Sequence, residues 1–410
     1  MSKLYVVVAL NSMGPVVDPK HNDLLTNWDL VNAAFLKANE PSYRFRYPDD
    51  DGNGVKFSLF CISWSGFTVN PVYRDFGWHT IFDNYKNNFN DYLEKYGDGL
   101  YWMYNHPPAS GIANEWGLDW LHNTHYLDIL NHFIIDREFF PNVVEIPTER
   151  NDASHFLEQW IPYDFGNRNS LSNNLNTVNA DGKMTGEVID WRFAPHDWSH
   201  YNPSHENYQK KGKMNRNVFR ILDIKSIIHK LSPEEIERAF VRSLEGNDTV
   251  ICAYEHDFRD RYETIMELMI KPINECKKKY PEVKVIYSNA RDAAQSVLGY
   301  KVEINKLDLS IEVRNNSDIR IQSTSTLFGR GPYSCVYNFE TEDYIHIPLT
   351  QIGEFSWHFP KINLPEVFIL GLGACDKSGN SIAKRLCLKR HGMEVSELSV
   401  GQKNRLLQTK

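Results

Sequence analysis

The sequence predicts an α/β fold with parallel crossovers, followed by a small antiparallel β-sandwich. Two observations carry this. Strand-like and helix-like runs alternate through the first three hundred residues, the order that requires parallel crossovers. Near Lys301 the period changes to short, partly alternating runs separated by turn residues such as "DKSGN". A third observation concerns function: several predicted strands end in polar clusters, and parallel α/β folds place their sites beyond the carboxyl ends of the strands.

The elements follow in order. Leu4–Leu10 reads as a buried first strand, because its apolar run is short for a signal peptide and no small-x-small cleavage site follows it. Ser58–Trp64 is a strand, and a helix begins after Trp78 and ends near "EKYGDG". Leu100–Asn105 is a strand, and helical spacing returns across "LDWLHNTHYLDILNHFIIDREFF". A strand at Asn142–Ile146, a helix over Ala153–Trp160, an Asn-rich loop and a strand at Glu187–Arg192 come next. The helix "SPEEIERAFVRSLEGND" has the clearest ends. Ser232 caps it, Pro233 suits the first turn, Glu235 completes a capping box, and Gly246 stops it. Ile236, Phe240 and Leu244 form its apolar stripe. The strand Val250–Tyr254, a helix interrupted by Pro272, the strand "VKVIYS" and the helix "ARDAAQSVLG" finish the alternating part. These boundaries divide the chain into 1–300, a β-sandwich over 301–390 and a tail over 391–410.

Composition narrows the function. With 45 basic and 53 acidic residues, a net charge of −8 and no long basic run, nucleic acid is not an expected partner. No segment is expected to span a membrane. The six cysteines are scattered without metal-ligand spacing, which suits reduced thiols and a cytoplasmic protein.

The strand ends carry the chemistry. The first ends in Asn11-Ser12-Met13-Gly14-Pro15, another in "YNHPPASG" with Asn105 and His106, and another in "PTERND" with Arg150. The strand at 187 ends in "IDWRFAPHDW" with Asp190, Trp191, Arg192 and His196, and "DTVICAYEHDFRD" ends in Glu255, His256 and Asp257. A converging site explains this set better than five independent charged turns.

A "GP" turn, "HPP", an Arg strand end, "D-W-R" and "HDFRD", in this order, together with "HFLEQWIPYDFGN" and "APHDWSHYNP", resemble the polysaccharide deacetylase superfamily. The likeness is to divergent members of the capsule and O-antigen type, over roughly residues 1–300. The resemblance implies a distorted (β/α) barrel of seven or eight strands that hydrolyses acetamides on sugars. It also implies a divalent metal, zinc, held by one Asp and two His. Arg150, Asp190 and His256 match the later motifs. Asn11 and Met13 stand where the family has carboxylates, Met103 and Asn105 occupy the candidate positions for a second histidine, and only His106 remains. An amide cannot act as a base, and a thioether is a poor ligand for a hard metal. Tight zinc is therefore not expected.

Two readings result. One is a carbohydrate-active hydrolase of surface-polysaccharide biosynthesis, acting on an acylated sugar, glycan or nucleotide sugar. It would use rearranged ligands (Asp18, His21 or the "HNTH" pair) or a metal-free site. In that site His256, Asp257, Asp190 and Arg150 are catalytic, and Asn11, Asn105, His106, Trp191, Arg192 and His196 bind substrate. The other is a non-catalytic relative that binds a glycan or nucleotide sugar, with the sandwich assisting docking.

Overall fold

The computed structural model describes residues 2–16, 24–63, 77–104, 125–147, 151–172, 191–226, 228–300, 307–314, 318–360, 365–389 and 396–397. The chain divides into two compact units. The first comprises Met1–Asp119, Val143–Ser154 and Tyr163–Val302; the second comprises Trp120–Asn142, His155–Pro162 and Glu303–Lys410. Chain order alone would leave 120–142 and 155–162 with the first unit.

The first unit is organised by β1 (Lys3–Ser12), β2 (Phe57–Ser63), β3 (Gly99–Tyr104), β4 (Val143–Glu145), β5 (Tyr163–Asn167), β6 (Asn217–Arg220), β7 (Leu222–Asp223), β8 (Thr249–His256) and β9 (Lys284–Tyr287). All pair in parallel, in the order β6-β5-β4-β3-β2-β1-β8-β7, with β9 also on β1. Every residue of β1 after Lys3 is buried, as expected of a strand covered on both faces. Only Ile221 separates β6 from β7. Its N–H donates to Asn167 O (2.8 Å), and the Ile224 N–H donates to Tyr254 O (3.1 Å). One stretch of chain thus leaves β5 and joins β8, and the sheet nearly closes into a barrel.

Among the described residues the α-helices are α1 (Trp28–Ala38), α2 (Pro41–Arg44), α3 (Trp78–Tyr96), α4 (His125–Arg137), α5 (Asn151–Leu157), α6 (Pro233–Leu244), α7 (Tyr262–Ile265), α8 (Lys271–Lys279) and α9 (Ala290–Val297). Ser232 caps α6 by accepting from the Glu235 N–H (3.3 Å). The Glu235 carboxylate does not complete a capping box. It is fully buried, accepts from Arg220 Nη1 (2.7 Å) and from the Leu171 N–H (2.7 Å), and so serves a buried ion pair instead. Leu244 is exposed, and the buried face of α6 runs through Ile236, Ala239, Phe240 and Ser243. Pro272, which cannot donate, is accommodated by a π-helical turn at Met266–Ile270 between α7 and α8.

Arg44 shows how charge is buried here. Its guanidinium donates to both oxygens of Asp98 and lies over the Phe57 ring at 4.1 Å and the Tyr96 ring at 4.6 Å, with both charged side chains fully buried.

The second unit holds β10 (Leu309–Arg314), β11 (Asp318–Ser323), β12 (Tyr333–Asn338), β13 (Tyr344–His346), β14 (Thr350–Gly353), β15 (Ser356–His358), β16 (Val367–Cys375), β17 (Ser381–Lys389) and β18 (Ser396–Glu397). They form two antiparallel sheets, β10-β11-β15-β14 and β13-β12-β16-β17-β18. Ile321 and Trp357 of one sheet share a core with Val336, Phe368, Leu370 and Leu388 of the other. The strand β18, which falls in the stretch expected as a tail, pairs with β17. α4 belongs to this unit: Tyr333 Oη donates to Asn131 Oδ1 (2.7 Å), and Arg385 Nη1 donates to Ile135 O (2.7 Å). Gly371 permits that approach, since a Cβ there would come within 2.7 Å of Ile135 Cδ1. Among the described residues no helix is long and apolar enough to cross a membrane.

Removing one partner of a buried pair strands the other charge. Asp98→Ala is therefore expected to lower the unfolding free energy by about 3–5 kcal/mol, whereas Arg44→Met with Asp98→Leu together should cost far less. Urea denaturation of both variants checks this.

Candidate active site

The parallel register sets the site. β1 and β8 place Asn11 beside His256, and Ala9 beside Tyr254. Alternation then sends Asn11, His256 and Tyr254 to the same face. β4 contributes Glu145, and Asn11 Nδ2 donates to Glu145 Oε1 (3.2 Å). Arg168, one residue past β5, pairs with Glu145 Oε1 through Nη2 and donates to Tyr254 Oη through Nη1 (2.7 Å), its guanidinium lying 4.4 Å from the Tyr254 ring centre. Its carbonyl meets His229 Nδ1 at 2.6 Å.

Two carboxylates flank His256, and their environments push them apart. Glu145 is fully buried, and burial raises its pKa even though Arg168, Asn11 and the charge of His256 pull it down. Glu255 also feels burial, but the hydrogen bond and charge of His256, with Arg261, outweigh it and hold this carboxyl below its usual range. Glu255 Oε1 accepts from the His256 N–H (3.1 Å) and lies 3.7 Å from His256 Nδ1 and 3.6 Å from Arg261 Nη1. His256 packs between Tyr254 and Phe258 at ring-centre distances of 5.6 and 4.9 Å. Asn11 Oδ1, Glu145 Oε2 and Glu255 Oε2 are buried acceptors with no donor among the described residues.

Asp257, expected to be catalytic, is an anchor. It is fully buried, and its oxygens accept from the Met13 N–H (2.7 Å), the Gly14 N–H (3.1 and 3.2 Å) and Tyr85 Oη (2.8 Å). It ties the turn after β1 to the end of β8. Trp191, expected to touch substrate, is fully buried against Tyr208, and its Nε1 donates to Pro147 O (2.9 Å). The predicted strand at 187–192 is not continued by its last two residues, because Trp191 and Arg192 start a turn closed by the Ala194 N–H on Trp191 O (3.0 Å). Arg192 and His196 are exposed nearby. Asn11 is within the site but buried, which makes it a partner of Glu145 first. Arg150, Asp190, Asn105 and His106 lie outside the described residues, as do Asp18, His21 and His122.

Glu145 and Arg168 were missed. A glutamate inside the apolar run "NVVEI" was the available signal, since an ionisable group in a buried strand needs a partner. Arg168 followed a stretch read as loop.

At the motif positions the described residues do not fit the metal that the resemblance implies. At the first-motif position Asn11 turns an N–H donor toward Glu145, and the neighbouring carboxylate of Asp257 is committed to backbone amides and Tyr85.

No family model matches the chain, and no curated protein matches it. Among solved structures, OgpA from Akkermansia muciniphila aligns at 10% identity over 44% of this chain and 66% of that chain, with a TM-score of 0.18. The catalytically inactive OgpA in complex with an O-glycopeptide substrate aligns at 10% identity over 46% and 68%, with a TM-score of 0.16. An engineered protein aligns at 8% identity over 93% and 77%, with a TM-score of 0.21. At such TM-scores these likenesses carry no argument.

His229 gives a pH test of the scaffold. Burial, with the nearby Arg168 charge, lowers its pKa to about 4. It is neutral when folded and free to charge when unfolded, so its contribution is present above about pH 6.5 and is lost as pH falls toward 4. His229 has φ 52°, a conformation asparagine tolerates. His229→Asn is expected to reduce the stability lost between pH 7 and pH 4.5 by about 2 kcal/mol, read from urea denaturation at both pH values.

Proposed function

We propose that this chain is a carbohydrate-active hydrolase of surface-polysaccharide biosynthesis. Its substrate is an acylated sugar, glycan or nucleotide sugar. Side chains do the chemistry in place of the metal of the deacetylases it resembles, and the second unit is a β-sandwich. One observation carries the reading: around a half-buried histidine, three buried acceptor oxygens, on Asn11, Glu145 and Glu255, have no donor among the described residues. Sugar hydroxyls and acylamino N–H groups are donors that satisfy such oxygens, whereas an apolar ligand would leave them at a cost of about 1–3 kcal/mol each.

The division of labour follows from the two carboxylates. Groups with pKa values driven in opposite directions take opposite roles in proton transfer. Glu145, raised by burial, is the better acceptor for the proton of an attacking water. The resulting hydroxide adds to the acyl carbon, and the bond to the sugar nitrogen or oxygen breaks. His256, held by Glu255, supplies the proton to that leaving atom.

A binding-only reading has one observation in its favour. Arg168 engages Glu145 Oε1 directly, which compensates the charge of the carboxylate without any chemistry. Turnover separates the two. On acetylated oligosaccharides and nucleotide sugars, the parent protein should release acetate, and His256→Gln should lose about 10²–10⁴-fold in rate. Its melting temperature should stay within a few degrees of the parent. Binding of the same compounds without release by the parent protein would favour the binding-only reading.

A further inference from the structure

Beside this site the chain builds a second feature. At the end of β5, Arg168 turns inward to Glu145 while its two neighbours turn to the rim. Asn167 Nδ2 donates to Pro195 O (2.7 Å), and Asn169 Nδ2 donates to Ala194 O (2.6 Å) and Arg192 O (3.3 Å). The Phe193 N–H donates to Gln209 Oε1 (2.8 Å), and Trp191 is buried on Pro147. The segment Trp191–Pro195 is therefore fixed over the carboxyl ends of β4 and β5. On this fixed segment Phe193 is 67% exposed. The Arg192 guanidinium lies 5.8 Å from the centre of this ring, and the rest of the ring is held in water by a rigid backbone, where a ligand can meet it.

Opposite Phe193 stands a second pinned loop. The Ser204 N–H donates to Lys210 O (2.8 Å) and the Gly212 N–H to Asn202 O (2.7 Å). A Cβ on Gly212 would come within 2.3 Å of Ser204 Cα, so glycine is required for that approach. Phe193, Pro195, His196, Gln209, Lys210 and Lys211 line an open cleft of about 410 Å³. Lys210 and Lys211 are exposed and form no ion pair with any described residue. Asp197, the one carboxylate among the described lining residues, accepts from Ser199 Oγ (2.6 Å) and the Ser199 N–H (3.1 Å) and lies 3.8 Å from Arg242. The cleft thus combines an exposed aromatic ring, with the Arg192 guanidinium 5.8 Å from its centre, and two ammonium groups that form no ion pair with any described residue.

We propose that this cleft is a subsite for an acidic sugar, a hexuronate residue of a glycan, with its ring on Phe193 and its carboxylate between Lys210 and Lys211. The inference rests on the glycan reading above for the polymer, and on the cleft alone for the acidic sugar. Calorimetry on the full chain tests it with two probes, a hexasaccharide alternating N-acetylglucosamine and glucuronic acid, and the uncharged N-acetylglucosamine hexasaccharide. The acidic probe should bind about tenfold or more tighter, a difference that shrinks with added salt. Lys210→Gln with Lys211→Gln should erase the preference, and Phe193→Ala should weaken both probes. Binding is read without turnover, so a parent protein that prefers the acidic probe yet releases no acetate keeps the subsite while the catalytic reading fails. Equal affinity for the two probes would overturn the proposal. So would a preference that survives loss of both lysines, or full displacement of the acidic probe by equimolar inorganic phosphate, which would mark a general anion site.

Discussion

Glu145 on β4 is fully buried near the carboxyl end of the barrel strands, and the mouth is arranged around the need to compensate it. An uncompensated carboxylate at that depth would cost several kcal/mol. Arg168 supplies the counter-charge, and its position fixes much else. Its second nitrogen holds Tyr254 on β8, its carbonyl holds His229, and its two neighbours hold the rim segment. One ion pair therefore links β4, β5, β8 and the loop over them. Pairs of this kind add little net stability over a well-packed apolar alternative. What they give is a single arrangement, because a buried charge has few acceptable partners.

The same device recurs where the sheet nearly closes. Asp164 on β5 pairs with Arg216, just before β6, and Glu235 on α6 pairs with Arg220 at the end of β6, all fully or almost fully buried. This explains which parts of the fold were legible. β1, β2, β3, β8 and β9 are apolar runs between turn signals, and the sequence shows them within a residue or two. β5, β6 and β7 are short, and Asp164, Asn167, Arg220 and Asp223 among their few residues break the apolar pattern, so periodicity does not mark them as strands. Their burial is made affordable by partners distant in sequence, and no local pattern shows such partners.

The site divides along the same line. His256 and Asn11 stand at strand ends and were visible there. Asp257 was visible too, but its role was not, because its partners are backbone amides of the turn after β1. Trp191 read as a strand residue because nothing local indicates that its indole is tied to Pro147. Glu145 was hidden inside its own strand. Position in the sequence marks where chemistry can occur, whereas hydrogen-bond saturation decides which groups remain available for it.

The asparagine at position 11 then has a physical explanation. Its Nδ2 donates to Glu145 Oε1 at 3.2 Å inside a nearly closed sheet. An aspartate at that place would set two carboxylates against each other in a poorly solvated site, and one would have to take up a proton. An amide removes the repulsion and adds a donor. A mouth that keeps Glu145 on β4 therefore favours Asn over Asp on β1. With Glu145 raised by burial, and Glu255 held low by His256 and Arg261 against its own burial, the protein's own charges set the two carboxyl groups apart.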